Sequence, residues 1–385
     1  MLSKLLKTAF VPALILGLFI AGCGPKPVKE ESLLDTPDNH YKQGMRECQA
    51  GQFDRAETEF NRATALKAKY PGGYVGMALV WAERGDFEKA LNSVDKGIGK
   101  DKKFIDGPIV KGRVLTKQKR GEKWLQDAVK QFDKALKLDP NSEKAMFYKG
   151  EAFKEALEFT QAEAMYKQVV SMKGEFSKDA NAEWETVQKI LRAAPGTEMG
   201  AKIALIKEID RADLAVLFVE ELKLVEILQK KQPKVYDTKF RPPADPTAVE
   251  TAKRETLAAA TDIEKHWAKN WIEDVIKVGA MEPFPDHTFR PDDKITRVDY
   301  ASFIQNILVA ITGDPGLATK YVGTPARFPD VNATNWAYNA ICLCVDRGIM
   351  RADPIDGSFG PSKTVSGADA LLIIREFQNA LRMTF

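Results

Sequence analysis

The stretch Phe53-Asp54-Arg55-Ala56 decides the fold of the first half of this 385-residue chain, because it recurs at a regular interval. It returns 34 residues later as Phe87-Glu88-Lys89-Ala90, and its alanine recurs at Ala128 and Ala162 after steps of 38 and 34 residues. A second small residue keeps the same steps at Gly44, Ala78, Gly112 and Gly150. Such a period indicates stacked helix pairs, and the four extra residues, which fall within 117–126, predict a lengthened turn.

Further marks agree with this period. A large apolar residue follows each repeated alanine by four positions, at Phe60, Val94, Phe132 and Tyr166, and Pro140 ends the third unit. The pattern resembles tetratricopeptide repeats, with four units over residues 37–176. Small residues allow the paired helices to approach closely, and the large residue fills the space against the next unit. The resemblance implies a concave groove for a peptide or partner protein, with a rigid spacer as the alternative.

Two segments of the C-terminal half align with each other. The first contains Asp262-Ile263, His266-Trp267-Ala268, Gly279, Phe289-Arg290-Pro291 and Ile295-Thr296-Arg297-Val298-Asp299. The second contains Phe328-Pro329-Asp330-Val331, Asn335-Trp336-Ala337, Gly348, Phe359-Gly360-Pro361 and Val365-Ser366-Gly367-Ala368-Asp369. Thr296 with Asp299, and Ser366 with Asp369, predict capping boxes that start a helix. Gly279 and Gly348 suit helix C-termini.

These segments resemble S-layer homology domains, which gives modules at residues 255–312 and 325–385. Members of this family usually carry three modules around a pseudo-threefold axis. Ile209-Asp210-Arg211-Ala212-Asp213 matches the 295–299 motif at an offset of 86 residues. We therefore expect a degenerate module at 180–230, its first helix running from about Trp184 to Ala193. The Pro-rich residues 231–250 predict an extended connector, and the whole chain is expected to be all-α.

The resemblance also implies binding residues. In Gram-positive relatives the grooves between modules hold an acidic, pyruvylated cell-wall glycan, which an arginine and a tryptophan suit. The polymer-binding candidates are Arg211, Arg297, Asp262, Trp267, Asp330 and Trp336. Gly367 occupies the position expected for an arginine, so its groove should bind anions poorly. The alternative makes the tryptophans core residues, which we favour for them, and makes Arg297 a helix-start residue with a local acidic partner.

The first 22 residues have the pattern of a leader. Lys4 and Lys7 precede the apolar run 9–21, which is short for a membrane span but suits a signal peptide. The run ends in Leu18-Phe19-Ile20-Ala21-Gly22-Cys23, which resembles the lipobox of bacterial lipoproteins. This resemblance implies a signal peptide at 1–22, a lipidated Cys23 and a tether at 23–36. Gly24 favours the outer membrane, with a periplasmic or surface-facing chain. A plain secretory signal or a short anchor helix is the alternative.

Composition excludes several functions. Removal of the two leader lysines would lower the net charge from +3 to +1, which argues against nucleic acid as a partner. The only histidines are His40, His266 and His287, so we expect no metal site, no cofactor and no catalysis. Cys342 and Cys344 are expected to be buried structural thiols, and Asp286-His287 a solvated turn.

The leading hypothesis is a non-catalytic envelope lipoprotein that joins the outer membrane to a cell-wall glycan, peptidoglycan or a surface-layer assembly. Its tetratricopeptide groove would then bind envelope proteins. The alternative is a protein-interaction adaptor in an envelope assembly or export complex, in which the S-layer homology modules are scaffold only.

Overall fold

The computed structural model describes residues 32–231 and 260–384, and every regular element within them is helical, which confirms the all-α prediction. The helices are α1 Pro37–Gln49, α2 Phe53–Leu66, α3 Pro71–Glu83, α4 Phe87–Lys100, α5 Asp106–Gln118, α6 Trp124–Leu138, α7 Glu143–Glu155, α8 Phe159–Met172, α9 Ser177–Ala193, α10 Glu198–Ile203, α11 Arg211–Glu220, α12 Leu224–Lys231, α13 Lys269–Lys277, α14 Arg297–Thr312, α15 Tyr338–Asp346 and α16 Gly367–Thr384. A short 3-10 helix spans Pro315–Ala318. The chain divides into two compact units, at residues 1–118 and 119–385.

The first unit contains helix pairs whose starts follow from their sequences. Thr36 caps α1 by accepting a hydrogen bond from the backbone of Asn39, and Pro37 opens the helix, where its missing N–H costs nothing. Asp86 caps α4 in the same way. The repeated alanines and the large residues that follow them are fully buried in both units, at Ala56, Ala90, Ala128, Ala162, Phe60, Val94, Phe132 and Tyr166.

The small residue of the first helix was expected to face the repeated alanine of the second helix, but Gly44 faces Phe60. A side chain at Gly44 would overlap the ring of Phe60, and the same ring blocks a side chain at Gly76 of the next pair. Phe60 therefore lies between two helix pairs, as expected for the space-filling residue. The glycine faces this ring more closely than it faces Ala56, because an aromatic side chain reaches further than a methyl group.

The third repeat has a lengthened turn, but the turn contains only two of the four extra residues, because α5 ends one residue later and α6 begins one residue earlier than in the other repeats. Five residues, 119–123, connect α5 to α6, whereas three residues connect α1 to α2 and α7 to α8. Lys119 and Gly121 both have positive φ, at 47° and 76°, so the connection bends sharply. The boundary between the two compact units coincides with this connection.

In the second unit α9 packs against helices from both sides of the sequence. It packs on α8, and its other neighbour is α16. The helix was expected to begin near Trp184 but begins at Ser177, because this extra length lies against α8 and buries Ala180. At its C-terminus Arg375 of α16 donates to the carbonyl oxygens of Ala193 and Ala194. The predicted connector, 231–250, lies outside the described residues apart from Lys231, as do the leader and Cys23.

Candidate ligand grooves of the C-terminal ring

Three backbone hydrogen bonds close a ring at the centre of the second unit. Ile209 N donates to Val365 O, Val365 N donates to Ile295 O, and Ile295 N donates to Ile209 O, each at 3.0 Å. Each residue directly precedes a capping residue, and all three side chains are buried. Three chain segments that are 86 and 70 residues apart in sequence thus occupy equivalent places around one axis.

Behind each of these residues a capped helix begins. Thr296 and Asp299 form the predicted capping box of α14, and Asp210 and Asp213 form one at α11. Ser366 Oγ accepts from the backbone N–H of Asp369 at 3.1 Å, which starts α16. The predicted capping box of Thr296 and Asp299 is therefore confirmed, and Ser366 acts as the predicted capping residue of α16. The helices of both modules also end as predicted, since Gly279 and Gly348 follow α13 and α15 with φ of 70° and 69°.

The first residue of each capped helix faces a loop of another segment, which creates three equivalent grooves. We call them the 211, 297 and 367 grooves, after Arg211, Arg297 and Gly367. In the 211 groove the backbone N–H of Arg211 donates to Asp293 O at 3.0 Å, and in the 297 groove that of Arg297 donates to Lys363 O at 2.9 Å. In the 367 groove Gly367 N donates to Ile206 O at 2.8 Å.

Arg211 is buried, with 7% of its surface exposed. Its Nε donates to Phe289 O at 2.7 Å and its Nη2 to Glu282 O at 3.1 Å. The guanidinium carbon lies 4.5, 4.9 and 5.4 Å from the ring centres of Phe289, Phe284 and Phe303. Burial lowers the pKa of this guanidinium, and the aromatic faces and carbonyl dipoles stabilise the charge that remains.

Arg297 makes the same backbone contacts in a more open setting. Its Nε donates to Phe359 O at 2.8 Å and its Nη2 to Arg351 O at 2.7 Å. The ring of Phe359 lies 4.6 Å from the guanidinium carbon, and the side chain stays partly exposed. The alternative of a local acidic partner is wrong for these two nitrogens, since both donate to carbonyls. A cleft of about 280 Å3 adjoins Arg297.

The 367 groove contains no space for a side chain. A Cβ on Gly367 would overlap the carbonyl oxygen of Ile203 and the Cα of Ala204. The backbone at the end of α10 therefore leaves no room for a side chain at the position that an arginine occupies in the other two grooves. That this groove binds anions poorly stays a prediction.

Asp262 and Asp330 hold the loops that surround the arginines. Asp262 accepts from the backbone N–H groups of Phe289 and Arg290, at 2.8 and 2.7 Å. Asp330 accepts from Phe359 and Gly360 in the same way, at 2.8 and 2.6 Å. Desolvation opposes ionisation of Asp330, but the two N–H donors outweigh it and lower the pKa. Each carboxylate thus fixes the phenylalanine whose carbonyl receives the arginine.

The tryptophans are not core residues, so the alternative that we favoured for them is wrong. Trp267 is 54% exposed and Trp336 is 73% exposed. Trp267 lies beside His266 and Trp271, with ring centres 5.7 and 6.0 Å away. The helices that follow the two tryptophans, α13 and α15, bury Ile272 and Ile341. Exposed indole faces are available to a ligand.

Sequence reasoning missed the residues that give the grooves different charges. Glu282 and Arg351 are equivalent, because their carbonyl oxygens accept from Nη2 of the respective arginines. Asp293 and Lys363 are equivalent, because their carbonyl oxygens accept from the backbone N–H groups of those arginines. The 211 groove therefore has two acidic residues where the 297 groove has two basic ones. A comparison of the two aligned segments position by position would have revealed this reversal.

Other predictions concern chemistry outside the grooves. Cys342 and Cys344 are free and buried, as predicted, and burial raises the pKa of the Cys344 thiol. Asp286 accepts from the backbone and hydroxyl of Thr288, so the segment is the expected exposed turn. Within residues 32–231 and 260–384, no group of three or more metal-binding side chains is present. Over the same residues, none of the helices combines the length and apolar character that a membrane crossing needs.

Comparison with known families agrees with this architecture. Residues 261–301 and 327–371 match the S-layer homology domain, and residues 41–101 match the tetratricopeptide repeat. The chain therefore carries tetratricopeptide repeats at the N-terminus and two S-layer homology domains in the C-terminal region, which confirms both resemblances.

Two curated relatives come from Acetivibrio thermocellus. Cell surface glycoprotein 1 is 29% identical over 114 residues, which cover 29% of this chain and 5% of that protein. The Cellulosome-anchoring protein is 35% identical over 80 residues, which cover 21% of this chain and 16% of that protein. The chain thus matches only a small part of either relative.

Similar solved structures relate to the fold alone. A thermophilic TPR protein of Thermus thermophilus has 18% identity and a TM-score of 0.35, covering 48% of this chain and 91% of that one. Yeast Tom70 has 17% identity and a TM-score of 0.30, covering 42% of each chain. Pseudomonas aeruginosa pilF has 16% identity and a TM-score of 0.24, covering 42% of this chain and 93% of that one.

Proposed function

We propose that this protein is a non-catalytic envelope lipoprotein that attaches the outer membrane to a cell-wall glycan, peptidoglycan or surface-layer assembly. The observation that carries the proposal is the pair of S-layer homology domains, with Arg297 and the exposed Trp336 beside their loops. The envelope-associated relatives support the same setting. In this proposal the grooves of the ring bind the polymer, and residues 180–230 serve as the third, degenerate module.

The lipid anchor is the second part of the proposal. Cys23 follows the lipobox-like stretch, lies outside the described residues, and would carry the acyl chains. Several chains make an anchor effectively permanent, since each buried methylene contributes about 0.8 kcal/mol. A lipid at one end and a polymer at the other would give two-point attachment, in which a weak polymer contact gains from a high effective concentration.

The tetratricopeptide units would recruit envelope proteins. Stacked helix pairs present extended surfaces on which a peptide or partner can lie. Residues 37–176 would supply this surface, with 23–36 as the tether that separates it from the membrane. The polymer and protein contacts would then lie on different parts of one chain.

A sedimentation assay tests polymer binding. The mature chain with Cys23→Ser, which cannot be lipidated, is incubated with purified peptidoglycan sacculi that keep their attached polymers. We expect the protein to sediment with the sacculi and Arg297→Ala to reduce the sedimented fraction. If the lipid-free chain stays in the supernatant, wall attachment is wrong.

Protein binding is the alternative function, and the same material distinguishes it. An adaptor would stay soluble with sacculi but would be crosslinked in cells to a specific envelope protein. The tetratricopeptide match over residues 41–101 is the observation that favours this candidate. Crosslinking that persists in Arg297→Ala, without any sedimentation of the parent chain, would support the adaptor over the wall anchor.

A further inference from the structure

We propose that only the 297 groove binds an anionic group of the wall polymer, one per chain, while the 211 groove is a permanent clasp between chain segments. This inference rests on the proposed function, because it specifies which part of the ring meets the polymer. It departs from the expectation that Arg211 and Arg297 both contact ligand.

Both arginines lie near two carboxylates, Asp299 and Asp262 at Arg211 and Asp369 and Asp330 at Arg297. The charges at the other flanking positions differ in sign. Glu282 and Asp293 flank Arg211, and Arg351 and Lys363 flank Arg297 at the equivalent positions. At these positions an anion that approaches Arg211 would meet two carboxylates, with Arg290 as the one cation nearby, whereas at Arg297 it would meet two further cations. Like charges near a ligand disfavour its binding strongly, so this reversal separates the two grooves.

The shape of the grooves separates them further. Three phenyl rings surround the guanidinium of Arg211, and its side chain is almost fully removed from solvent. Asp353 lines the cleft beside Arg297, and the cleft of about 280 Å3 also includes Arg351, Lys363 and Thr364. The cleft remains open to a ligand, and the guanidinium, already held at Nε and Nη2, can direct its remaining N–H groups into it.

The two acidic residues that line the 297 groove already have partners. Asp353 Oδ1 accepts from the backbone N–H groups of Ile355 and Asp356, at 2.8 and 3.4 Å. Asp369 Oδ1 lies 2.8 Å from the ammonium of Lys189. Within the described part of the chain Lys363 forms no ion pair, although its charge helps to lower the pKa of Asp356. Arg351 lies 3.7 Å from Glu376 with an exposed side chain. The excess of positive charge is therefore available to an anion.

The 367 groove takes no part in binding. Its first helical residue has no side chain, and the backbone of Ile203 and Ala204 occupies the corresponding space. Lys363 has an apolar counterpart there, since Ile206 O is the acceptor equivalent to Lys363 O. With the 211 groove closed, one groove remains for each chain.

A charge-exchange experiment tests the assignment with the full mature chain, made lipid-free by Cys23→Ser, and sacculi as the probe. Arg351→Glu with Lys363→Asp gives the 297 groove an acidic rim like that of the 211 groove. We expect the affinity for sacculi to fall at least about tenfold, because each charged contact contributes about 1.5–3 kcal/mol. Thermal melting followed by circular dichroism establishes that the variant is folded.

Two controls make the outcome specific. Lys178→Asp with Lys277→Glu changes the net charge equally at exposed sites on α9 and α13, and should leave binding within about twofold. Glu282→Gln with Asp293→Asn changes the 211 groove and should also leave it unchanged. Equal loss in the charge control, or altered binding in the 211-groove variant, overturns the single-groove assignment. Failure of the parent chain to sediment would overturn wall attachment itself, and this assignment with it.

Discussion

Gly367 and Ile203 approach so closely that any side chain on the glycine would overlap the isoleucine carbonyl. The contact joins the start of α16 to the end of α10, which are more than 160 residues apart in sequence. Gly367 is the first residue of the third capped helix around the ring, and Arg211 and Arg297 are the first residues of the other two. The glycine at this motif position thus allows two backbones to approach each other closely.

The first prediction concerns this contact. Gly367→Ala should lower the free energy of unfolding of the second unit by about 3 kcal/mol, because the added methyl group forces the two backbones apart. Equilibrium urea denaturation measures the change. Gly99→Ala on α4 is the matched control, since nothing lies near its Cβ. That variant should be neutral or more stable by up to about 1 kcal/mol. Equal stability of Gly367→Ala and the parent chain would contradict the close packing.

The second prediction compares the two arginines. Arg211→Gln should destabilise the ring by about 3 kcal/mol, because it removes a buried side chain and leaves the Phe289 and Glu282 carbonyls without their donor. Arg297→Gln should cost about 1 kcal/mol, since water can reach its carbonyl partners. Differential scanning calorimetry of both variants gives the comparison. A larger loss of stability for Arg297→Gln than for Arg211→Gln would show that the buried Arg211 contacts do not contribute more to stability.

The third prediction is pH-dependent and concerns His40. Its Nε2 lies 2.7 Å from Asp35 Oδ1, and its Nδ1 lies 2.5 Å from Glu59 Oε2. Desolvation lowers the pKa, but the bonds to Glu59 and Asp35 outweigh this effect, and the pKa is raised. Because the folded-state pKa exceeds that of the unfolded chain, this stabilisation is complete below about pH 6.5 and is lost as the pH rises through the folded-state pKa.

Nuclear magnetic resonance titration of the His40 ring protons measures that pKa directly. The melting temperature of the first unit should fall as the pH rises from about 6.5 through the folded-state pKa of His40, to an extent that His40→Gln removes. His287→Gln is the control, because that histidine lies in the exposed turn after α13. A His40 pKa below about 6.5, or the same pH dependence in His40→Gln, would refute the role of this ion pair.

The fourth prediction separates surface aromatics from core aromatics. Trp336→Ala should change the free energy of unfolding by less than about 0.5 kcal/mol, because most of the indole contacts solvent. Phe359→Ala, which removes a buried ring from the adjacent loop, should cost about 3–5 kcal/mol. Chemical denaturation of the two variants tests the contrast. A large loss for Trp336→Ala would place that side chain in the core after all.

The local features of this protein followed from its sequence. The spacing of Ala56, Ala90, Ala128 and Ala162 predicted the helix pairs, because each repeat is one helix pair and buries its small residue at the same position. The capping boxes at Thr296 and Asp299 were also predictable, since the capping side chain and its partner are three residues apart. In both cases the interacting residues are neighbours in the chain, so a short stretch contains all the information.

The sequence contains the reversed charges, but the tertiary structure alone decided which of them lie beside which arginine. Arg211 meets Glu282 and Asp293, and Arg297 meets Arg351 and Lys363, because each motif helix faces a loop more than 50 residues further along the chain. It also decided that Trp267 and Trp336 face solvent, although the sequence favoured a core position for them. The sign of the charge and the exposure of a side chain depend on the ring closed by Ile209, Ile295 and Val365. A short stretch of sequence does not indicate which distant backbone segment will pack against it.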